Sequence, residues 1–494
     1  MLKKIRIILA AVFFTGVTLL FLDFTGTLHA WLGWMAKIQF LPAVLAANFI
    51  ITAVLLLLTL LLGRVYCSVI CPLGIMQDII SWIHGKTKKK NRFRFSYSPA
   101  KNWLRYSVLA LFIIGLLFGA HSIAVIVAPY SAYGRIAANL FAPLYQWGNN
   151  LMAYMAERLD SYAFYRVDVW IKSISTFIIA AVTFVVIGIL SWKHGRTWCN
   201  TVCPVGTFLG LISRFSIFAP VIDTQKCRSC GLCGKQCKAS CINMKEHEID
   251  YSRCVACMDC IDTCKDGAIS YARRSQIKAK KAEGADQGRR AFMVGTGLAL
   301  ITAATAKAQK KVDGGLAPVI DKTVPDRETP LVPAGAISLK NFTDHCTSCQ
   351  LCVSACPDQV LRPSSSLMNF MQPEMSYERG YCRPECTRCS EVCPAGAILE
   401  ITKEEKSSIQ IGHAVIDLSL CVVNTDEVKC GNCARHCPAG AIKLVRKNPE
   451  DAKSLMIPTV NEERCIGCGA CENLCPARPI SAIKIEGHEV HRTI

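Results

Sequence analysis

The sequence has no C-x-x-C-H motif, so covalently attached c-type haem is not expected. No nucleotide-binding glycine fingerprint and no P-loop stands out, and flavin is not expected either. Acid is scarce, with 37 Asp and Glu against 56 Lys and Arg, a formal charge of +19. In a soluble chain that excess would raise nucleic acid as a partner. Here much of it flanks apolar helices. Residues 86–105 hold eight Lys or Arg and no acid, which the positive-inside rule explains with no nucleic acid. What the chain has in quantity is cysteine, 29 in 494 residues, and apolar side chains, at 51%. A chain of this length does not need disulfides to stabilise a core, so the cysteines point to metal chemistry.

Four long apolar segments, near 5–22, 41–62, 103–128 and 171–191, each approach or exceed the length of a bilayer-spanning helix. Lys3, Lys4 and Arg6 precede the first, the basic run lies between the second and third, and Lys193 and Arg196 follow the fourth. These flanks place both ends of the block and its middle loop on the cytoplasmic side, and 129–170 outside. The expected fold class is an α-helical membrane domain of four transmembrane helices, plus a fifth, signal-like segment, with two α+β ferredoxin-like modules. The domains read as 1–215, 216–272, a linker 273–335, and 336–494.

Within the block, Gly63-Arg64-Val65-Tyr66-Cys67 through Cys71-Pro72-Leu73-Gly74 matches Gly195-Arg196-Thr197-Trp198-Cys199 through Cys203-Pro204-Val205-Gly206. The shared pattern is G-R-x-aromatic-C-x3-C-P-x-G, and it implies an internal duplication. Cysteines four apart share one helical face, so Cys67, Cys71, Cys199 and Cys203 can converge between the two helix pairs. They are either small buried residues or a redox or soft-metal site.

After the fourth segment come Cys227, Cys230, Cys233 and Cys237, then Cys254, Cys257, Cys260 and Cys264, both spaced C-x2-C-x2-C-x3-C. That is the two-cluster ferredoxin spacing: three cysteines wrap one cubane and the fourth serves the other. One [4Fe–4S] cluster is expected on Cys227, Cys230, Cys233 and Cys264, the second on Cys254, Cys257, Cys260 and Cys237. Zinc would leave the triplets unexplained. Cys241 is extra and reads as structural.

The linker contains Arg289-Arg290-Ala291-Phe292, a short apolar run and small residues. This reads as a twin-arginine export signal retained mid-chain by a gene fusion, or as a short helix packed on the ferredoxin module. Four further motifs follow: Cys346, Cys349, Cys352, Cys356; Cys382, Cys386, Cys389, Cys393; Cys421, Cys430, Cys433, Cys437; and Cys465, Cys468, Cys471, Cys475. Each ends C-x2-C-x3-C-P, so the total is 24 iron ligands for six [4Fe–4S] clusters.

On these motifs residues 1–270 resemble the NapH family, membrane subunits of periplasmic nitrate reductase systems. Nitrous-oxide-reductase accessory proteins and cytochrome-oxidase assembly ferredoxins share that core. Residues 289–494 resemble the NapG type, an exported four-cluster ferredoxin. The resemblance implies quinol oxidation at the inner membrane, with electrons passed to a periplasmic reductase or carrier. Membrane lipid and the quinone pool are then the other partners, and anaerobic respiration the setting. It also implies that in the second module the first motif pairs with the fourth and the second with the third. Cys346, Cys349 and Cys352 would then join Cys475, and Cys465, Cys468 and Cys471 join Cys356. Likewise Cys382, Cys386 and Cys389 would join Cys437, and Cys421, Cys430 and Cys433 join Cys393. Spacing alone also allows pairing of adjacent motifs. The competing function is an electron-donating assembly factor for a respiratory metalloenzyme. The remaining candidates for quinol chemistry are the four membrane cysteines and His121, with His29 at another predicted boundary.

Overall fold

The computed structural model describes residues 1–87, 95–274, 320–367, 369–451 and 453–494. The twin-arginine segment lies outside the described residues.

The helical block begins with α1 (Leu2–Leu22), apolar except for Lys3, Lys4 and Arg6 in its first turns. At 21 residues it is about 31 Å long, enough to cross a bilayer. A second 21-residue helix, Ile174–His194, passes the same length and hydropathy test. Only 28% and 22% of their apolar windows are buried inside the protein, so neither is an ordinary core helix. The other two apolar segments are broken. The second is a short helix Phe40–Leu45, a turn at Ala46–Asn48, and a 14-residue helix Phe49–Leu62, whose first turn is capped by Asn48. The third is a helix Asn102–Leu117 that stops at Phe118 before Gly119, which has φ +79°.

The sequence reading makes 129–170 an external loop. Its first part instead forms a fully buried helix, Pro129–Ile136, packed against Pro72–Thr87 and Ile174–His194. The segment after α1 also folds back inward. Gln39, fully buried, donates to the Ile70 carbonyl (3.4 Å) and accepts from the Tyr66 hydroxyl (3.1 Å). Loops with this many polar groups tolerate such depth because protein, not lipid, surrounds them.

Two modules pack at opposite ends of α1. At its start, Lys3 pairs with Asp262 (2.9 Å) and Asp259 (3.3 Å). These belong to the first module, which is closed by antiparallel strands β1 (Phe218–Ile222) and β2 (Ile269–Arg273). The 46 residues between the strands carry all eight of its motif cysteines, so the pair ties the two motifs together. At the far end, helix Leu351–Ala355 of the second module contacts α1. Lys172 donates to the Val353 carbonyl at 2.6 Å, Asn139 to Gln350 at 2.7 Å, and Arg379 pairs with Asp168 at 2.8 Å. The second module is framed by two antiparallel strand pairs, β3 (Ile409–Ile416) with β6 (Ile483–Thr493), and the hairpin of β4 (Ile442–Arg446) with β5 (Met456–Val460).

Inside that module Glu472 is 2% exposed, held by Arg327 at 2.6 and 2.8 Å and by the Ile485 amide at 2.8 Å. Removing one member of a buried pair strands the other charge, at about 3–5 kcal/mol. Arg327→Leu should therefore cost that much in urea unfolding followed by loss of iron–sulfur absorbance. The double variant with Glu472→Leu should recover much of it. A single variant as stable as the parent would show that the pair holds nothing together.

Candidate iron–sulfur centres

The motif loops share a backbone device. In the four C-x2-C-x2-C motifs, the residues just before and just after the second cysteine have positive φ. They are Ser229 and Gly231, Ala256 and Met258, Ser348 and Gln350, and Gly467 and Gly469, with φ between 48° and 78°. Five of these eight carry side chains, which adopt this region at about 1–2 kcal/mol each. Such strain persists where the surroundings over-determine it. Here it turns three consecutive thiols toward one point.

Four cavities result, each ringed by a triplet and one thiol from the partner motif. Cys254, Cys257, Cys260 and Cys237 ring the first, as the spacing predicts. Cys241, read as structural, lines the same cavity, its Sγ 3.5 Å from that of Cys237. Among Cys227, Cys230 and Cys233 the thiols lie within electrostatic range of one another.

In the second module the pairing differs from the one that the resemblance implied. Cys346, Cys349 and Cys352 meet Cys393, not Cys475. Cys382, Cys386 and Cys389 meet Cys356, not Cys437. Cys465, Cys468 and Cys471 meet Cys437, not Cys356. Cys433 has Cys421, Cys430 and Cys475 as its neighbours, not Cys393. Adjacent motifs therefore pair, the first with the second and the third with the fourth. The physical reason is chain length: the short 346–393 stretch closes its own two-site unit, as does 421–475, and the hairpins then join the two. The units touch where the Cys382 amide donates to the Cys468 carbonyl at 2.9 Å. The quartets so form one series, from Cys346/349/352/393 beside the helical block to Cys421/430/433/475 farthest along it.

The cavities suit polynuclear clusters. Among the described residues no three His, Cys, Asp or Glu side chains close on a single ion. The thiols stand apart around a void instead, as the corners of a cubane require. They also receive the N–H donors that thiolate ligands use: Ser348 N to Cys346 Sγ (3.4 Å), Ala441 N to Cys437 Sγ (3.3 Å), and Lys406 Nζ to Cys382 Sγ (3.2 Å). When bound, such clusters supply one-electron carriers.

The four membrane cysteines do converge. Cys67, Cys71, Cys199 and Cys203 are each 3–4% exposed and lie within mutual electrostatic range. The duplication shows in crossed contacts. Arg64 of the first repeat donates to the Gly206 carbonyl (2.8 Å) and to Asn200 (2.5 Å) of the second. Arg196 of the second donates to the Cys67 carbonyl of the first (2.7 Å). A Cβ on Gly74 would lie 2.3 Å from that same carbonyl, so only glycine fits beneath the crossing arginine. Burial pushes the Cys67 thiol up to about 11, against the pull of Arg64 and Arg196, and raises Cys71 and Cys203 as well. Burial therefore favours the neutral thiol over the thiolate at Cys67, Cys71 and Cys203.

Both candidate histidines sit at the far end of α1. His121 Nε2 lies 3.7 Å from Asp344 of the second module. His29 Nδ1 lies 3.3 Å from Asp23, and its Nε2 is buried without a partner. Sequence reasoning missed Asp78 as a hub. It meets Arg6 (2.9 Å), Arg196 (2.7 Å) and Lys238 (3.2 Å). The signal available was weak: it is an acid in the basic, apolar stretch after the first C-x3-C-P motif.

Comparison with known proteins follows the same divisions. The profile of a 4Fe-4S binding domain matches residues 44–91 and 175–220, one match on each repeat. That of a 4Fe-4S dicluster domain matches 345–397 and 428–478, one on each adjacent motif pair. The putative electron transport protein YccM of Escherichia coli is 26% identical over 49% of this chain and 60% of its own length. The ferredoxin-type protein NapH of Haemophilus influenzae is 25% identical over 46% of this chain and 69% of its own. The methylamine utilization ferredoxin-type protein MauM of Methylobacillus flagellatus is 30% identical over 30% of this chain and 64% of its own. The chain thus spans less than two thirds of two of these three relatives. No solved structure matches it. The chain is an iron–sulfur electron-transfer protein related to ferredoxin-type proteins of this kind.

Proposed function

We propose that this chain is a membrane-bound quinol dehydrogenase that passes electrons through six [4Fe–4S] clusters to a reductase or carrier outside the membrane. In this reading a NapH-type part and a NapG-type part are fused in one polypeptide. The observation that carries it is the packing of the two cysteine modules at opposite ends of α1. A helix about 31 Å long between them makes one module cytoplasmic and the other external, in the order that the basic flanks and the twin arginine lead one to expect. All 24 motif cysteines are assigned as iron ligands, with adjacent pairing in the second module. The four apolar segments are assigned as membrane crossings, the two broken ones reaching their span with the help of re-entrant turns.

The external series of four quartets supports electron export over the maturation role, which needs no such long wire. Quinol oxidation releases two electrons and two protons, and each cluster takes one electron at a time. His29 and His121, both at the far end of α1, are candidate proton acceptors.

The test uses sealed membrane vesicles of known orientation. A quinol analogue should bleach the iron–sulfur absorbance, and an added membrane-impermeant protease should cleave the second module from one face of the membrane and the first module only from the other. Clusters that dithionite reduces but quinol leaves untouched would overturn the quinol step and favour the maturation reading. Cleavage of both modules from the same face would overturn the sidedness.

A further inference from the structure

Helix Pro129–Ile136 belongs to the helical block but abuts the second module. A Cβ on Gly134 would lie 2.3 Å from the Cys349 carbonyl. Arg135, next in sequence, is fully buried. Its Nη2 donates to the Ile126 carbonyl at 2.5 Å, while Nε and Nη1 have no partner. Among the described residues no carboxylate pairs with it, and the acidic group in its electrostatic range is the thiol of Cys349. One turn earlier, the buried Tyr130 hydroxyl is also unpartnered and lies within range of Cys349 and Cys393. A buried guanidinium with two orphaned N–H groups is costly unless an anion faces it. The quartet Cys346, Cys349, Cys352 and Cys393, once it holds a cluster on four thiolates, is that anion.

We propose that Arg135 and Tyr130 are the charge and hydrogen-bond partners of the cluster on Cys346, Cys349, Cys352 and Cys393, and that they raise its reduction potential. Donors near cluster sulfur and nearby positive charge both favour the reduced, more negative form. The first cluster outside the helical block thereby accepts an electron more readily than it would without them. The step is a one-electron transfer in which no bond forms and no proton moves. The direction of flow rests on the quinol dehydrogenase reading, whereas the charge partnership does not depend on the donor.

The experiment is a redox titration of the full, solubilised protein by electron paramagnetic resonance, with dithionite as reductant, so that no quinol is involved. Arg135→Leu should make reduction of one cluster at least tenfold less favourable, about 59 mV for one electron, and leave the other signals in place. Arg135→Lys should return part of the shift, and Tyr130→Phe, which keeps the ring and removes the hydroxyl, should move the same signal by less. Should Arg135→Leu fail to retain its iron, the Lys and Phe variants decide. Signals that superimpose on the parent's in iron-replete variants would overturn the proposal. Dithionite shifts as described, together with failure of quinol reduction, would leave Arg135 in its role and remove only the donor.

Discussion

Replacing Asp78 by Asn is expected to destabilise the helical block and its junction with the first module more than any other single polar change. Three cations meet this one carboxylate: Arg6 from α1, Arg196 from the second repeat, and Lys238 beside Cys237, which Asp259 also holds at 2.9 Å. Burial alone would raise its pKa, but Arg196, Lys238 and Arg6 outweigh that and hold it well below the usual carboxylate range. The asparagine keeps the shape and removes the charge. Arg196, fully buried, is then left without a charged partner, facing the Cys67 carbonyl and the Cys199 sulfur. Breaking a buried ion pair costs about 3–5 kcal/mol, and three are broken here. Because the folded-state pKa is depressed, the parent's stabilisation is full above the unfolded value near 3.9 and fades as pH falls below it. The measurement is the denaturation midpoint of purified protein at pH 7 and again at about pH 2.5, below the unfolded carboxylate value. The difference between parent and variant should shrink at the lower pH. A variant within 1 kcal/mol of the parent at pH 7 would show that solvent, not Asp78, balances these cations.

The second large effect concerns the thiols of the duplicated motif. Cys67→Ser or Cys199→Ser should leave about 24 irons bound, since neither residue belongs to a ferredoxin motif. Each should still abolish reduction of the clusters by quinol. Serine is nearly isosteric but is a far poorer soft-metal ligand and cannot form a disulfide. At Cys199 the change also removes the sulfur that accepts from Gln77 Nε2 at 3.2 Å. Iron content and the rate of bleaching by a quinol analogue are read on the same preparation. Wild-type rates in both variants would make the four cysteines packing residues, with electrons entering nearer His29 or His121.

The cluster ligands were legible because their spacing follows from the shape of a cubane. Cys237 was placed with Cys254, Cys257 and Cys260 on spacing alone, and those four do ring one cavity. The partners of Cys356 and Cys393 were not legible in that way. Spacing says that a fourth thiol serves another site but not which one, and two closed units are compatible with the same motifs as two crossed ones. Helix Pro129–Ile136 escaped for a different reason. Its segment reads as part of an external loop, while the structure buries Tyr130, Ser131, Tyr133 and Arg135. Periodicity reports contrast between two faces, and a helix enclosed on every side has none to report. The broken helices likewise looked continuous, because a turn at 46–48 made of Ala and Asn barely lowers the hydropathy of its window.

The crossed arginines also set an order for building the molecule. Arg64 sits early in the chain, yet its acceptors are Asn200, Gly206, Arg253 and Cys254. When the first helical hairpin leaves the ribosome, none of these exists. Its guanidinium lacks its full set of acceptors until residue 254, itself a motif cysteine, has been made. Closure of the two repeats and assembly of the neighbouring first module are therefore coupled. An agent that starves the cell of iron during synthesis should be felt inside the helical block, as a population of chains whose two repeats have been made but have not yet met.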